Sequence, residues 1–378
     1  MKKVLYIVKN QMHYYPPCIS QIRMLHDLGY DVEVLYGTSN DTALELLERE
    51  GIRCNKIANI ADINTGLIEK AWSWYNFRKG LLHALKQYEK TTTLLWFGTA
   101  ETAMPMKGAL KGWNYVLSLL ELIDDNPQKR ILLKSIAKRA KAITVCEETR
   151  GYIMRYWWNL SRIPYVFPNK PYKQSREKRI LPSTPETTSI VNIIRNQKVI
   201  IYQGIIQNSE ELVEIAKALK TINKDYLLLL MGIDKYNSVK KIKEIYDDVV
   251  FVSYIPAPNH LEITSYAHIG ITYYRNDSLN KVFCAPNKIY EYTGFGIPII
   301  ANDVPGLKNT VGAAGAAKCI KITEEEVIKA IGDIESNYEA YSQNALSFFS
   351  ETDNYKTMDR LMNDIEQMEQ GCAHTVAT

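Results

Sequence analysis

Cys284-Ala285-Pro286-Asn287-Lys288-Ile289-Tyr290-Glu291-Tyr292-Thr293-Gly294-Phe295-Gly296-Ile297-Pro298-Ile299-Ile300-Ala301-Asn302-Asp303 is the stretch whose reading decides the fold. It divides into a turn, a short helix and a buried strand. Pro286 suits a first helical turn, where its fixed φ helps and its missing N–H is not needed. Gly294 and Gly296 break the helix, and Pro298-Ile299-Ile300-Ala301 runs apolar. The start of such a helix is a natural anion site, because N–H groups without intrahelical partners point outward at the positive end of the dipole. Lys288 adds a mobile cation there. Glu291 follows Asn287 and Lys288 by about one turn, so the three share a face. A phosphate receptor with a carboxylate one turn on suits a nucleotide, the carboxylate accepting hydrogen bonds from ribose hydroxyls.

Outward from that stretch, strands and helices alternate. Lys198 to Gln203 reads as a strand ending at Gly204, Glu210 to Lys220 as an amphipathic helix, and Tyr226 to Met231 as a buried strand ending at Gly232. Val249 to Val252 and His268 to Tyr273 add further strands. The first half repeats the architecture: Lys3 to Val8 is a strand, Pro17 to Leu28 a helix closed by Gly29, and Asp31 to Tyr36 the next strand. Such a βαβ unit takes a right-handed crossover and predicts a parallel sheet. The expected fold class is α/β, with two Rossmann-like doubly wound domains facing across a cleft. The expected divisions are 1–170, a linker at 171–196 rich in prolines and charges, 197–345, and a C-terminal helix with a frayed tail at 346–378, the helix being a candidate to return to the first domain. In such sheets ligands sit outside the carboxyl ends of the strands, so Gly204 and Gly232 become candidate ligand-facing turns. The three-glycine dinucleotide fingerprint is absent from 4–11 and 199–207, which argues against a nicotinamide oxidoreductase.

Composition is that of a globular protein, with 46% hydrophobic and 23% charged residues in 378, enough chain for two cores. No apolar run approaches the ~18–20 residues that span a bilayer, and Val4 to Val8 is shorter than a signal-peptide core. The expected location is therefore the cytoplasm. Six cysteines are scattered without paired spacing, which predicts reduced thiols. The net charge of +4 hides an asymmetry, since residues 1–170 carry 24 Lys and Arg against 16 Asp and Glu. Much of that excess lies in 128–141, where aliphatic positions 132, 133, 136, 137 and 140 follow helical spacing and cations cover the other face. A solvated helix is the plainer reading. An anionic membrane surface, the inner face of the cell membrane, is the alternative partner. Nucleic acid is not expected, because no binding motif accompanies the charge.

Pro-Asn-Lys-Ile-Tyr-Glu-Tyr at 286–292, followed by Gly-Phe-Gly-Ile-Pro-Ile-Ile-Ala at 294–301, resembles the donor-binding signature of GT-B-fold glycosyltransferases, especially bacterial enzymes that build capsule, O-antigen and other surface polysaccharides. The resemblance extends through Tyr202-Gln203-Gly204, Leu228 to Gly232, Val250 to Ile255 and His268 to Ile271. Matches in the first half are less specific. It implies a donor domain at 197–345 and an acceptor domain at 1–170. It further implies that Glu291 binds the donor ribose, that Tyr254-Ile255-Pro256 flanks the base, and that Pro286, Asn287 and Lys288 sit at the diphosphate with Tyr292 alongside.

Two departures from the family pattern matter. Phe283 stands where retaining members with paired glutamates carry the first one, and Ile205-Ile206-Gln207-Asn208-Ser209 replaces the Arg and Lys that often follow the strand-ending glycine. Diphosphate charge would then fall to Lys288, Arg275 or Lys281. A helix dipole with cations stabilises a leaving nucleoside diphosphate without a metal. No cofactor is expected beyond the nucleotide diphosphate sugar as donor substrate, and Asp124-Asp125 lacks a third ligand for a metal. An inverting enzyme needs a base for the acceptor hydroxyl, and the candidates are His13, Glu101, Glu121 and Asp124. The stereochemical outcome stays open. The expected function is transfer of a sugar from a nucleotide diphosphate sugar to a glycan or lipid-linked acceptor. The alternatives are a related sugar-nucleotide epimerase, or a catalytically silent partner that binds nucleotide or glycan.

Overall fold

Strands buried on both faces by crossover helices read as unbroken apolar runs, and Val4 to Val8 obeys that rule, every one of the five being fully buried. A computed structural model describes residues 3–60, 66–206, 210–222 and 226–376. The chain forms two compact units, one from the residues through Tyr172 together with the chain from Asp353 onward, the other from Lys173–Thr352.

In the first unit β1 (Lys3–Val8), β2 (Asp31–Tyr36), β3 (Arg53–Lys56), β4 (Thr93–Phe97), β5 (Asn114–Leu119), β6 (Ala142–Val145) and β7 (Tyr165–Val166) lie in the order β3-β2-β1-β4-β5-β6-β7. All neighbours are parallel, and Lys3 to Ile7 stand opposite Thr93 to Phe97. Successive side chains alternate between two cores: Leu5, Ile7, Leu95 and Phe97 on one face, Val4, Tyr6, Val8 and Trp96 on the other. The second face is covered in part by the helix Asn354–Val376, whose Met358, Leu361, Met362 and Ile365 are buried against it. Polar contacts pin the same helix, with Tyr30 reaching Glu366 at 3.1 Å, Asn114 reaching Glu369 at 2.8 Å, and Tyr165 bonded to Asp364.

The second unit holds β8 (Lys198–Gln203), β9 (Tyr226–Met231), β10 (Val249–Val252), β11 (Ile269–Thr272), β12 (Ile299–Asn302) and β13 (Ala317–Ile320), in the order β10-β9-β8-β11-β12-β13. Pairing is again parallel throughout. With the strands renumbered from β8, this is the same order as the first six strands of the first unit, so each sheet is doubly wound and each reverses its winding beside its first strand.

Three expectations change. Residues 171–196 are not a plain linker, because Pro185–Ile194 is a helix with Thr184 as its cap and Val191 and Ile194 buried. Its apolar face is too short to stand out as a period among prolines and charges, and Glu262 anchors its approach through Ser183 N and Oγ at 2.9 and 2.5 Å. The edge strands β7 and β13 also escape the sequence pattern, since two to four partly exposed residues give little alternation. The helix Tyr338–Glu351 stays with the second unit through Ala345 and Phe349, so that unit runs past 345 to Thr352. Among the described residues no helix is long and apolar enough to cross a membrane.

Candidate functional site

The crevice of a doubly wound sheet opens where the winding reverses, at the carboxyl ends of the strands on either side. In the second unit those strands are β8, ending at Gln203 before Gly204, and β11, ending at Thr272 before Tyr273 and Tyr274. The helix of the opening stretch starts at the same edge. Asn287 is its first residue, and Pro286, with φ −74° and ψ 142°, is its N-cap and supplies no side-chain acceptor to the first turn. Lys288 Nζ lies 4.4 Å from the centroid of the Tyr202 ring and 5.8 Å from that of Tyr274. One ring stands near the end of β8 and the other just past β11, so cation–π attraction holds the ammonium across the winding reversal. Tyr202 is itself fixed, its hydroxyl donating to Ile205 O at 3.1 Å and its ring stacked on Tyr273 at 5.2 Å.

The glycines make room for this arrangement. Gly204 has φ +131° and Gly232 φ +143°, both in the region that side chains avoid. A Cβ on Gly204 would stand 3.2 Å from Lys288 Nζ, and one on Gly232 would stand 1.9 Å from Gly204 O. The carboxyl edge is therefore bare backbone beside a held cation.

Glu291 is only 6% exposed, and a buried carboxylate must be paired or hydrogen-bonded. Gln203 Nε2 donates to its Oε2, and His260 Nε2 lies 3.2 Å from its Oε1. Thr264 Oγ1 in turn donates to Gln203 Oε1 at 2.8 Å. Each carboxylate oxygen keeps acceptor capacity for a ligand hydroxyl.

Of the ten residues expected at a donor, Pro286, Asn287, Lys288, Glu291, Gly204 and Gly232 converge on this edge. Tyr292 does not. It is fully buried with its ring against Gly270, and its hydroxyl lies 3.3 Å from both Gln203 N and Ile271 O. That phenol is a core group, its pKa pushed far up by burial. One residue past Glu291 on a helix points about 100° away, which here means into the sheet. Ile255 also turns inward, 5% exposed in the core, whereas Tyr254 beside it is 41% exposed. Arg275 lies exposed after β11, and Lys281 is engaged by Asp277 at 2.7 Å. Gln207-Asn208-Ser209 fall outside the described residues. Sequence reasoning missed Gln203, His260, Tyr202 and Tyr274 as site residues. A polar residue closing the apolar run at Gln203 was the available signal, while nothing local marks His260.

In the first unit the corresponding edge gathers other groups. Lys9 follows β1, is 5% exposed, and has its pKa lowered by burial against an opposing pull from Glu101. Glu101 is paired with Lys129 at 2.6 Å. Burial raises the Tyr15 phenol, with smaller contributions from Cys18 and from the negative charges of Glu121 and Glu101, so those two carboxylates share one neighbourhood. Asp124 is half-buried. His13 sits on the turn Met12–Tyr14 with Nδ1 buried and unbonded among the described residues. Burial lowers its pKa, which keeps the ring neutral and able to accept a proton at neutral pH.

No protein-family model and no curated protein matches this sequence. Solved structures do match it in fold. The chain is similar to Anabaena HepE in complex with UDP and glucose, with a TM-score of 0.66, 12% identity and 100% of both chains covered. It is similar to a glycosyltransferase from Rickettsia africae, with a TM-score of 0.65, 12% identity and 98% of both chains covered. A Listeria monocytogenes protein assigned as a UDP-N-acetylglucosamine 2-epimerase gives a TM-score of 0.65 at 13% identity over 97% of both chains. At that identity the likeness is one of architecture. Two parallel doubly wound units, matched along nearly the whole chain, give this protein the GT-B fold.

Proposed function

We propose that this protein is a glycosyltransferase that takes a sugar from a nucleotide diphosphate sugar and passes it to a glycan or lipid-linked acceptor of surface polysaccharide synthesis. The observation that carries the reading is the position of Lys288, held by Tyr202 and Tyr274 beside Gly204 with Glu291 one turn on. The cation and first helical turn receive the diphosphate, and Glu291 accepts from the ribose. HepE, whose fold this chain shares, was solved with UDP and glucose, which supports a nucleotide-sugar ligand. In the transfer, the acceptor oxygen forms a bond to the anomeric carbon as the bond to the diphosphate breaks. The nucleoside diphosphate leaves with its charge met by Lys288 and the helix N-terminus. For an inverting enzyme His13 is the proposed base, because burial keeps its ring neutral. An epimerase is the second reading, favoured by the fold shared with the Listeria protein. It differs in turning over its sugar nucleotide with no acceptor.

The test is a thermal-shift screen across UDP-, GDP-, dTDP- and CDP-sugars. A ligand at 100 times its Kd stabilises by about 2.7 kcal/mol, and a shift from none of them removes the proposal. In the same screen Lys288→Gln should lower affinity for the best nucleoside diphosphate about tenfold or more while leaving the parent nucleoside little changed. A held point charge acts on phosphate alone.

The acceptor side includes a proposed contact with anionic membrane. On the helix Pro127–Ala137, Leu133, Ile136 and Ala137 pack inward, while Lys134 and a 70% exposed Ile131 face out, with Lys138 and Arg139 exposed just past its end. The same unit exposes Ile68, Trp72 and Tyr75 along one helical stripe, at 86, 63 and 54%. At about 1 kcal/mol per basic residue near such a surface, reversing Lys134, Lys138 and Arg139 to Glu should weaken binding to phosphatidylserine liposomes about a hundredfold. A parent protein that ignores such liposomes disposes of the contact.

A further inference from the structure

β11 and β12 pair in parallel, with Gly270, Ile271 and Thr272 opposite Ile299, Ile300 and Ala301. β11 ends there, and the backbone of Tyr274, two residues on, finds both of its partners in one side chain. Tyr274 N donates to Asn302 Oδ1 at 2.8 Å, and Asn302 Nδ2 donates to Tyr274 O at 2.6 Å. A side-chain amide carries the same donor and acceptor as a peptide group, so Asn302, the last residue of β12, carries the pairing past the end of β11. The way round of that amide is set by its partners, because a backbone N–H only donates and a carbonyl only accepts. Held at both its N–H and its carbonyl, Tyr274 has little backbone freedom left.

The ring on that backbone stands at the site. Its centroid lies 5.8 Å from Lys288 Nζ, against 4.4 Å for the Tyr202 ring. Tyr202 has supports of its own in Ile205 O and the stacked Tyr273. Tyr274 has Asn302. A lysine ammonium rides on a flexible four-carbon stem and goes where its contacts hold it, so the place of this cation depends on the place of the two rings. We propose that Asn302 is a positioning residue of the nucleotide site: by clamping the Tyr274 backbone it sets that ring against the Lys288 ammonium, and so sets where the cation meets a diphosphate. The ligand half of this rests on the nucleotide reading above. Asn302 is itself half-buried and acts without touching the ligand.

The experiment reads the cation first and the ligand second. In lysine-labelled protein without nucleotide, the Lys288 ε-methylene protons, identified by their loss in Lys288→Gln, should resonate upfield of other lysines, because ring currents shield groups above an aromatic face. Asn302→Leu, similar in size but offering neither hydrogen bond, should move them back toward the ordinary lysine position. By titration calorimetry the same variant should bind the best nucleoside diphosphate about fivefold more weakly, the size of one cation–π contact, and the parent nucleoside as the wild-type protein does. In a Lys288→Gln background Asn302→Leu should cost the diphosphate nothing more. Tyr274→Leu, which removes the ring and leaves the clamp whole, should reproduce both effects.

A merely structural asparagine would weaken nucleoside and diphosphate alike and add its full effect to that of Lys288→Gln, and that result overturns the inference. So does an unshifted Lys288 resonance in folded Asn302→Leu. If Asn302→Leu fails to fold, Asn302→Ala carries the same comparisons, and a Tyr274→Leu protein with wild-type resonance and affinity overturns the inference by itself. Absence of binding to every nucleoside diphosphate is instead the failure of the functional reading, and the resonances, taken without ligand, then still decide whether Asn302 places Lys288.

Discussion

Replacing Glu291 with alanine is expected to weaken nucleoside diphosphate binding between tenfold and a hundredfold, measured by titration calorimetry on the folded variant. Among the described residues at this edge, the carboxylate offers acceptors to ribose hydroxyls while being held on both oxygens by the protein. Hydrogen bonds to a charged group contribute roughly 1.5–3 kcal/mol, and each 1.4 kcal/mol is a factor of ten. The loss has a second part. Without the carboxylate, Gln203 Nε2 loses a buried acceptor and the His260 ring loses the group that orients it. The variant should therefore also lose thermal stability without ligand, and the added effect of nucleotide should shrink beyond that loss. Wild-type affinity in a folded Glu291→Ala protein would remove Glu291 from the donor assignment.

The second large effect is expected at Gly232. An alanine Cβ there would stand 1.9 Å from Gly204 O and 2.7 Å from Gly204 C, which no side-chain rotation relieves because the opposing atoms are backbone. With φ at +143° the backbone conformation is itself strained for alanine, at about 1–3 kcal/mol. The β8 and β9 turns must therefore separate, and Gly204 carries Lys288 beside it. Gly232→Ala should lower the melting temperature of the second unit by roughly 6–12 °C for a loss of about 3 kcal/mol. It should also weaken nucleotide binding, although residue 232 offers no side chain to a ligand. A melting curve that overlays the wild type would show that this edge has slack the packing does not reveal. Gly29→Ala is the contrast, because a Cβ there meets nothing within 4 Å and only the φ of +87° is strained.

Particular residues show why some of the molecule was legible in the sequence and some was not. Val4 to Val8 and Tyr226 to Met231 were readable as strands because burial on both faces demands apolar residues without interruption, a demand written locally. Lys288 and Glu291 were readable as a pair because one helical turn brings them together whatever surrounds them. Tyr292 was misplaced for the same reason. Adjacency in the motif put it at the ligand, whereas helical rotation sends it against Gly270. The helix Pro185–Ile194 stayed hidden because its stability comes from a cap and from packing beneath Glu262 rather than from its own period.

The amino-acid sequence by itself determined the α/β class, the strand that begins each half, the glycine-ended turns and the helix that starts at Asn287. All of these follow from forces between residues a few positions apart. Only the tertiary structure decided what Glu291 touches. Gln203, His260 and Thr264 come to it from β8 and from the helix after β10, across separations of up to 88 residues. A buried carboxylate must find donors wherever the fold provides them, and no local pattern records which distant side chains those are.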